Sequence, residues 1–153
     1  MNDKEYLNET LQHITEVQAG ISRIMFLLLD RRVNHDASKF SKEEKPIFME
    51  YTPKLKETTY GSDEYKQFLA EMKPALDHHY AQNSHHPEHF PNGVDGMNLV
   101  DLVEMFCDWY AATKRHADGD IMKSIETNTI RFKLSPQLAN ILRNTVELLK
   151  GKP

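Results

Sequence analysis

Residues 98–116, NLVDLVEMFCDWYAATKRH, constrain this chain more than any other stretch. Wound as a helix at about 100° per residue, they bring Asp101, Glu104 and Asp108 into an arc of about 60°. Leu99, Val100, Leu102, Val103, Met105, Phe106, Cys107, Trp109 and Tyr110 make nearly every other side apolar. Such a helix belongs inside a helical domain, and a stripe of three carboxylates there is costly unless something positive meets it. No lysine or arginine occurs in the stretch before Lys114, so the partner must be a metal ion or histidines from elsewhere. The plain alternative is that the acids form the solvated face of an amphipathic helix.

The remainder of the chain reads as helical too. Apolar residues at 11, 14, 17, 21, 24, 25 and 28 share one helical face, predicting a first helix from about Glu5 to about Arg32. Asn34-His35-Asp36 breaks that pattern. Ser41 to Glu44 has the spacing of a capping box, and Pro46 and Pro53 allow one or two short helices between 42 and 57. Gly61-Ser62 offers a turn and cap for a helix from Asp63 to about Gln82, kinked at Pro74. Prolines and glycines mark 84–97 as a loop. Asn98 caps the apolar helix, which should run to about His116 and stop at Asp118-Gly119. A short helix near 120–127 and a last one after Ser135-Pro136 complete the reading. The expected fold is all-α, a single domain over 1–153 with about six helices.

Bulk properties narrow the function. The formal net charge of −4 comes with both signs scattered, so no basic stripe awaits a nucleic-acid duplex. The longest apolar run, residues 24–29, is too short to span a bilayer, and the polar N-terminus is unlike a signal peptide. Cys107 is the sole cysteine, which excludes an intramolecular disulfide and a thiolate-rich zinc site. These features predict a cytoplasmic protein without a membrane partner. Cys107, Trp109 and Tyr110 are expected in the core.

Eight histidines are many for 153 residues, and four of them fall in two adjacent pairs, His78-His79 and His85-His86. His79 and Asn83 lie one turn apart on one face, while His85 and His86 sit where a helix should end and can turn inward. Which member of each pair points inward is open at this level, and a histidine-rich surface loop is the plain alternative. His35-Asp36 could chelate one ion only from a helix end or irregular turn, which the break after the first helix supplies. Lys39 would place an ammonium beside it, able to hold a phosphate oxygen or the aspartate itself. A mixed nitrogen and oxygen set suits Mn, Fe, Co, Ni or Zn, as one ion or two, and not a calcium cage. His13, on the flank of the first helix, reads by itself as a core histidine. His89 and His116 read as surface residues or as supports behind a ligand. In the segment from Ser124 to Thr145, Asn128, Arg131, Gln137 and Asn144 could line a pocket or cap helices.

In order along the chain these residues resemble the HD superfamily of metal-dependent phosphohydrolases. HDASK is similar to that family's HD-x-x-K form, and Asp108 in CDWYAA to the context of its last ligand. The resemblance covers about residues 10–113 and implies His13, His35, Asp36 and Asp108 as metal ligands. Histidines of the 78–86 region, His79, His85 and His86 among them, would hold a second ion. The chain also resembles a bacterial and phage family of unknown function in HDASKF, HHYAQNSHHPEHF and DLVEMFCDWYAAT. The resemblance leaves little room for separate first and second helices, because only 21 residues lie between His13 and His35.

The resulting expectation is hydrolysis of a phosphomonoester or phosphodiester of a small molecule, a nucleotide by family analogy. Lys39 would offset charge on the phosphoryl oxygens, and Glu104 would orient a ligand or act as general base. Asp101 and Glu104 compete with Asp108 for the ligand role. Two other functions stay open: oxidation by oxygen at a di-iron centre of the same superfamily, and metal or nucleotide binding without turnover by a regulatory module.

Overall fold

In the computed structural model residues 2–59, 62–115 and 119–151 are described. Seven α-helices and three short 3-10 turns account for nearly all of them, with no strand among the described residues. The fold is all-α, as expected.

The chain divides into two units, residues 1–35 and 36–153. The first is a single helix, α1 (Asp3–Asn34), with His35 at its C-terminal cap. Asn2 starts it with a reciprocal capping box: its side chain accepts from the Glu5 N–H, and Glu5 accepts from the Asn2 N–H. Acidic Asp3 and Glu5 in the first turn and basic Arg31 and Arg32 in the last both suit the helix dipole. A lone helix cannot bury its own stripe, and no residue of α1 is buried.

The second unit holds the other six helices. A 3-10 turn (Ala37–Phe40) leads into α2 (Lys45–Glu57), which runs on through Pro53 as one helix. The helix foreseen over 63–82 is in fact two, α3 (Asp63–Glu71) and α4 (Lys73–Gln82), separated at Met72. Pro74 explains the break, since it brings no N–H to continue the ladder and sits comfortably only in a first turn. Ser62 caps α3 through the Tyr65 N–H as foreseen. Gly61 lies outside the described residues.

The loop contains two 3-10 turns, Pro87–His89 and Gly93–Gly96, before α5 (Leu99–Thr113). The stop signal proposed at 118 and His116 lie outside the described residues. α6 (Ile121–Phe132) runs a full turn further than its sequence suggested. The packing of Phe132 against the core and Trp109 outweighs the indifferent helix propensity of Asn128 and Thr129. α7 (Pro136–Lys150) begins on the Ser135 cap and Pro136, as read.

The apolar core lies among the last three helices. Phe106 of α5, Ile121 and Ile125 of α6, and Leu142 and Val146 of α7 are buried together with Leu134. Trp109 and Tyr110 are half-buried and pack against this cluster. Cys107 corrects its expectation, for it is exposed. Met105 and Phe106 take the buried side of α5, and one further step of about 100° turns position 107 outward.

Candidate metal centre

α5 presents its acids to the interior. Asp101 is 1% exposed and Glu104 8%, while Asp108, two turns beyond Asp101, is half-buried. The solvated-face alternative therefore fails for the first two. Each has a separate task. Asp101 Oδ2 accepts the Asn98 N–H (3.1 Å) in a capping box, and its Oδ1 accepts the Ser84 hydroxyl (2.6 Å). That pairing ties the histidine loop to the start of α5. Glu104 Oε1 lies 3.2 Å from His85 Nδ1.

Asp36 stands in the left-handed region at φ 57°, a conformation that aspartate tolerates better than most residues. The sharp turn lets the next four residues wind into the 3-10 turn while the carboxylate faces α4. Lys39 Nζ donates to Asp36 Oδ2 (2.6 Å), and the same ammonium lies over the Phe48 ring, 5.3 Å from its centroid. The opposite oxygen, Oδ1, lies 3.2 Å from His79 Nε2 and 3.5 Å from His85 Nε2.

Of the two adjacent histidine pairs only the first separates, while both members of the second turn inward. His79 is buried at 2% exposure, whereas His78 is partly exposed and only supports from the side. His85, 1% exposed, and the half-buried His86 both face the centre. His79 Nε2 and His86 Nε2 are 3.0 Å apart, and the His85 and His86 rings lie tilted with centroids 4.1 Å apart. Asp36, His79, His85 and His86 each offer one donor atom within 4.8 Å of all the others.

Behind the rings stand two carboxylates. A carboxylate only accepts hydrogen bonds, so His79 Nδ1–H donates to Glu44 Oε2 (2.9 Å), leaving Nε2 with its lone pair toward Asp36 and His86. Glu104 fixes the same tautomer in His85, whose Nε2 points to the same place. Glu44 is fully buried and also receives the His78 Nδ1–H (2.7 Å). Burial pushes its carboxyl pKa up, but hydrogen bonds from His78, Ser38 and His79 outweigh this and leave it below the ordinary carboxylate value. Asn83 completes the frame by donating to Ser38 Oγ and to the His79 carbonyl, both at 2.7 Å. His86 is held neutral: burial and the neighbouring His85 and His79 lower its pKa to about 3 despite Asp36.

The donor set fits a transition-metal ion. Donors about 2.1 Å from a common ion must lie about 3.0–3.4 Å from one another in octahedral or tetrahedral arrangements. Three of the six donor pairs, at 3.0, 3.2 and 3.5 Å, lie at or close to that spacing. Three ring nitrogens and a carboxylate oxygen form a set with no calcium character, and carboxylates backing the rings are the usual support of metal-binding histidines.

The other expected ligands are placed as follows. A carboxylate oxygen of Asp108 lies within 4.8 Å of one of Asp36, at the edge of the group. His35 closes α1, and His13 is an exposed residue of the same helix; both belong to the first unit. His89 instead braces the loop, its Nδ1–H donating to the Tyr80 carbonyl (2.7 Å). Glu44 was missed. Its place three residues after Ser41 suggests a local cap, and the Glu44 N–H does approach Ser41 Oγ (3.3 Å), but the side chain turns inward to the histidines.

Fold and centre together define an all-helical protein with a histidine-rich, carboxylate-backed cluster. The chain belongs to the family of unknown function DUF5662, which matches residues 2–148. No curated protein and no solved structure matches it.

Proposed function

We propose that this chain is a metal-dependent phosphohydrolase, related to the HD superfamily through the centre around Asp36. One observation carries the reading: two imidazoles locked into one tautomer by Glu44 and Glu104 aim their lone pairs, with His86, at the Asp36 carboxylate. His79, His85, His86 and Asp36 would hold the ion, and Asp108 would add a carboxylate at the edge. A bound divalent ion supplies water of lowered pKa and positive charge for phosphoryl oxygens.

The remaining work falls to the chain. Lys39 keeps Asp36 oriented and brings a cation to the side where a phosphoryl group would rest. Glu104 orients His85 and is thereby engaged, which favours its positioning role over the general-base role. In the overall reaction a water oxygen forms a bond to phosphorus and the ester P–O bond breaks. The protons of that water end on the alcohol and on the phosphate.

Metal analysis of the purified protein, together with phosphate release from p-nitrophenyl phosphate in Mn or Co, tests the proposal. The expected result is bound metal at one or two per chain and turnover abolished by Asp36→Ala. Iron as the native metal with substrate-dependent oxygen uptake would assign the di-iron oxidase instead. Bound metal without either activity would assign a binding module.

A further inference from the structure

Beside the centre runs a cleft of about 360 Å³, with His86 and Asp108 at the end nearest the donors. One wall is a single face of α6, where Ser124, Thr127, Asn128 and Arg131 recur at i, i+3, i+4 and i+7. The buried Ile121 and Ile125 lie on the adjoining side of the same helix, so core packing fixes the direction in which the polar face points. These polar residues are not needed as caps, because Asp120 and Lys133 end the helix.

The wall has a definite chemical character. Arg131 supplies a cation, but its Nη2 is bound to Glu88 Oε1 at 2.7 Å, so the pair is formally neutral. Asp108 adds a carboxylate at the end nearest the donors. A second phosphate would have to compete with Glu88 for the Arg131 guanidinium and would lie near the Asp108 carboxylate. Hydroxyls from Ser124 and Thr127 and the amide of Asn128 can each donate and accept, which complements a hydroxyl-bearing body. The Phe132 ring is taken up by Trp109, stacked at 7° and 6.1 Å, and by the Arg131 guanidinium 4.6 Å from its centroid. That leaves it poorly suited to stacking on a nucleobase.

Resting on the phosphohydrolase reading, we infer that the cleft selects monophosphate esters of small neutral polyols or sugars, with the hydroxyl-bearing body laid along the Ser124–Arg131 face of α6. Polyphosphates and bare aromatic esters lack the matching groups.

The test uses the Mn-loaded full chain with glucose 6-phosphate, p-nitrophenyl phosphate, AMP and ADP, reading kcat/KM for each. Glucose 6-phosphate should exceed both nucleotides about tenfold or more. Asn128→Leu should lower the ratio of glucose 6-phosphate to p-nitrophenyl phosphate turnover about tenfold, a change that misfolding alone would not produce because both substrates use one centre. Glu88→Gln should release the Arg131 charge and raise ADP turnover several-fold relative to glucose 6-phosphate. Metal-dependent turnover of p-nitrophenyl phosphate with AMP or ADP preferred, or with the ratios unmoved by either variant, overturns the inference and leaves the hydrolase standing. Bound metal with no ester cleaved removes the hydrolase reading, and the substrate inference with it.

Discussion

Glu44 shows how one side chain sets the chemistry of two others. With no exposure to solvent it takes a proton donor from each of two successive histidines, and one of those rings then points its lone pair into the donor cluster. Replacing it with glutamine keeps the volume but lets the site choose the wrong tautomer. Glu44→Gln should weaken Mn or Co binding about 10–100-fold, measured by calorimetric titration. An unchanged dissociation constant would show that the carboxylate does not orient His79. His86 makes a second prediction, for the metal-free protein. Its folded pKa of about 3 lies below the ordinary 6.5, so the unfolded chain binds the extra proton first. The resulting stability is complete above about pH 6.5 and falls as pH drops, at about 1.4 kcal/mol per unit, until the folded ring itself titrates. Glu44, also lowered, works in the same direction at still lower pH. Urea midpoints at pH 7 and pH 5 should differ accordingly, and His86→Gln should flatten the slope. At this scale the sequence revealed the donors through histidine density and the His35-Asp36 pair. It concealed Glu44, because a nearby serine offered a sufficient local explanation, and it could not place Asp36 in a left-handed turn.

Among the elements, α5 depends most on its first turn. Asn98 accepts from the N–H groups of Val100 and Asp101, and Asp101 returns a bond to the Asn98 N–H while holding Ser84. Asn98→Ala should cost about 1 kcal/mol in chemical denaturation. Asp101→Ala should cost more than Asn98→Ala, since it also removes the acceptor of the half-buried Ser84 hydroxyl and releases the loop that carries His85. Metal affinity should fall for the second variant and hold for the first. Helix existence was legible throughout because apolar spacing and caps are local signals. The break at Met72 and the extra turn of α6 were less so. The first depends on how far Pro74 disrupts a ladder, and the second on partners for Phe132 that lie in other helices.

For the molecule as a whole, an ion that binds only the folded chain must raise its stability. At a free concentration of about 100 times Kd the gain is about 2.7 kcal/mol. The unfolding temperature should therefore climb with added Mn, return with a chelator, and stay fixed in Asp36→Ala. Sequence alone indicated an all-helical chain with its acids near its histidines, but the supporting packing came only from the structure. The wider consequence concerns charge. Asp36, Glu44, Glu104 and Asp108, taken with the Lys39 ammonium that binds Asp36, carry three formal negative charges. A lone divalent cation leaves this basin anionic, hostile to a phosphate dianion, whereas two such cations invert its sign. Inorganic phosphate should thus recruit a second equivalent of Mn, visible as a doubled stoichiometry in titrations performed with and without it.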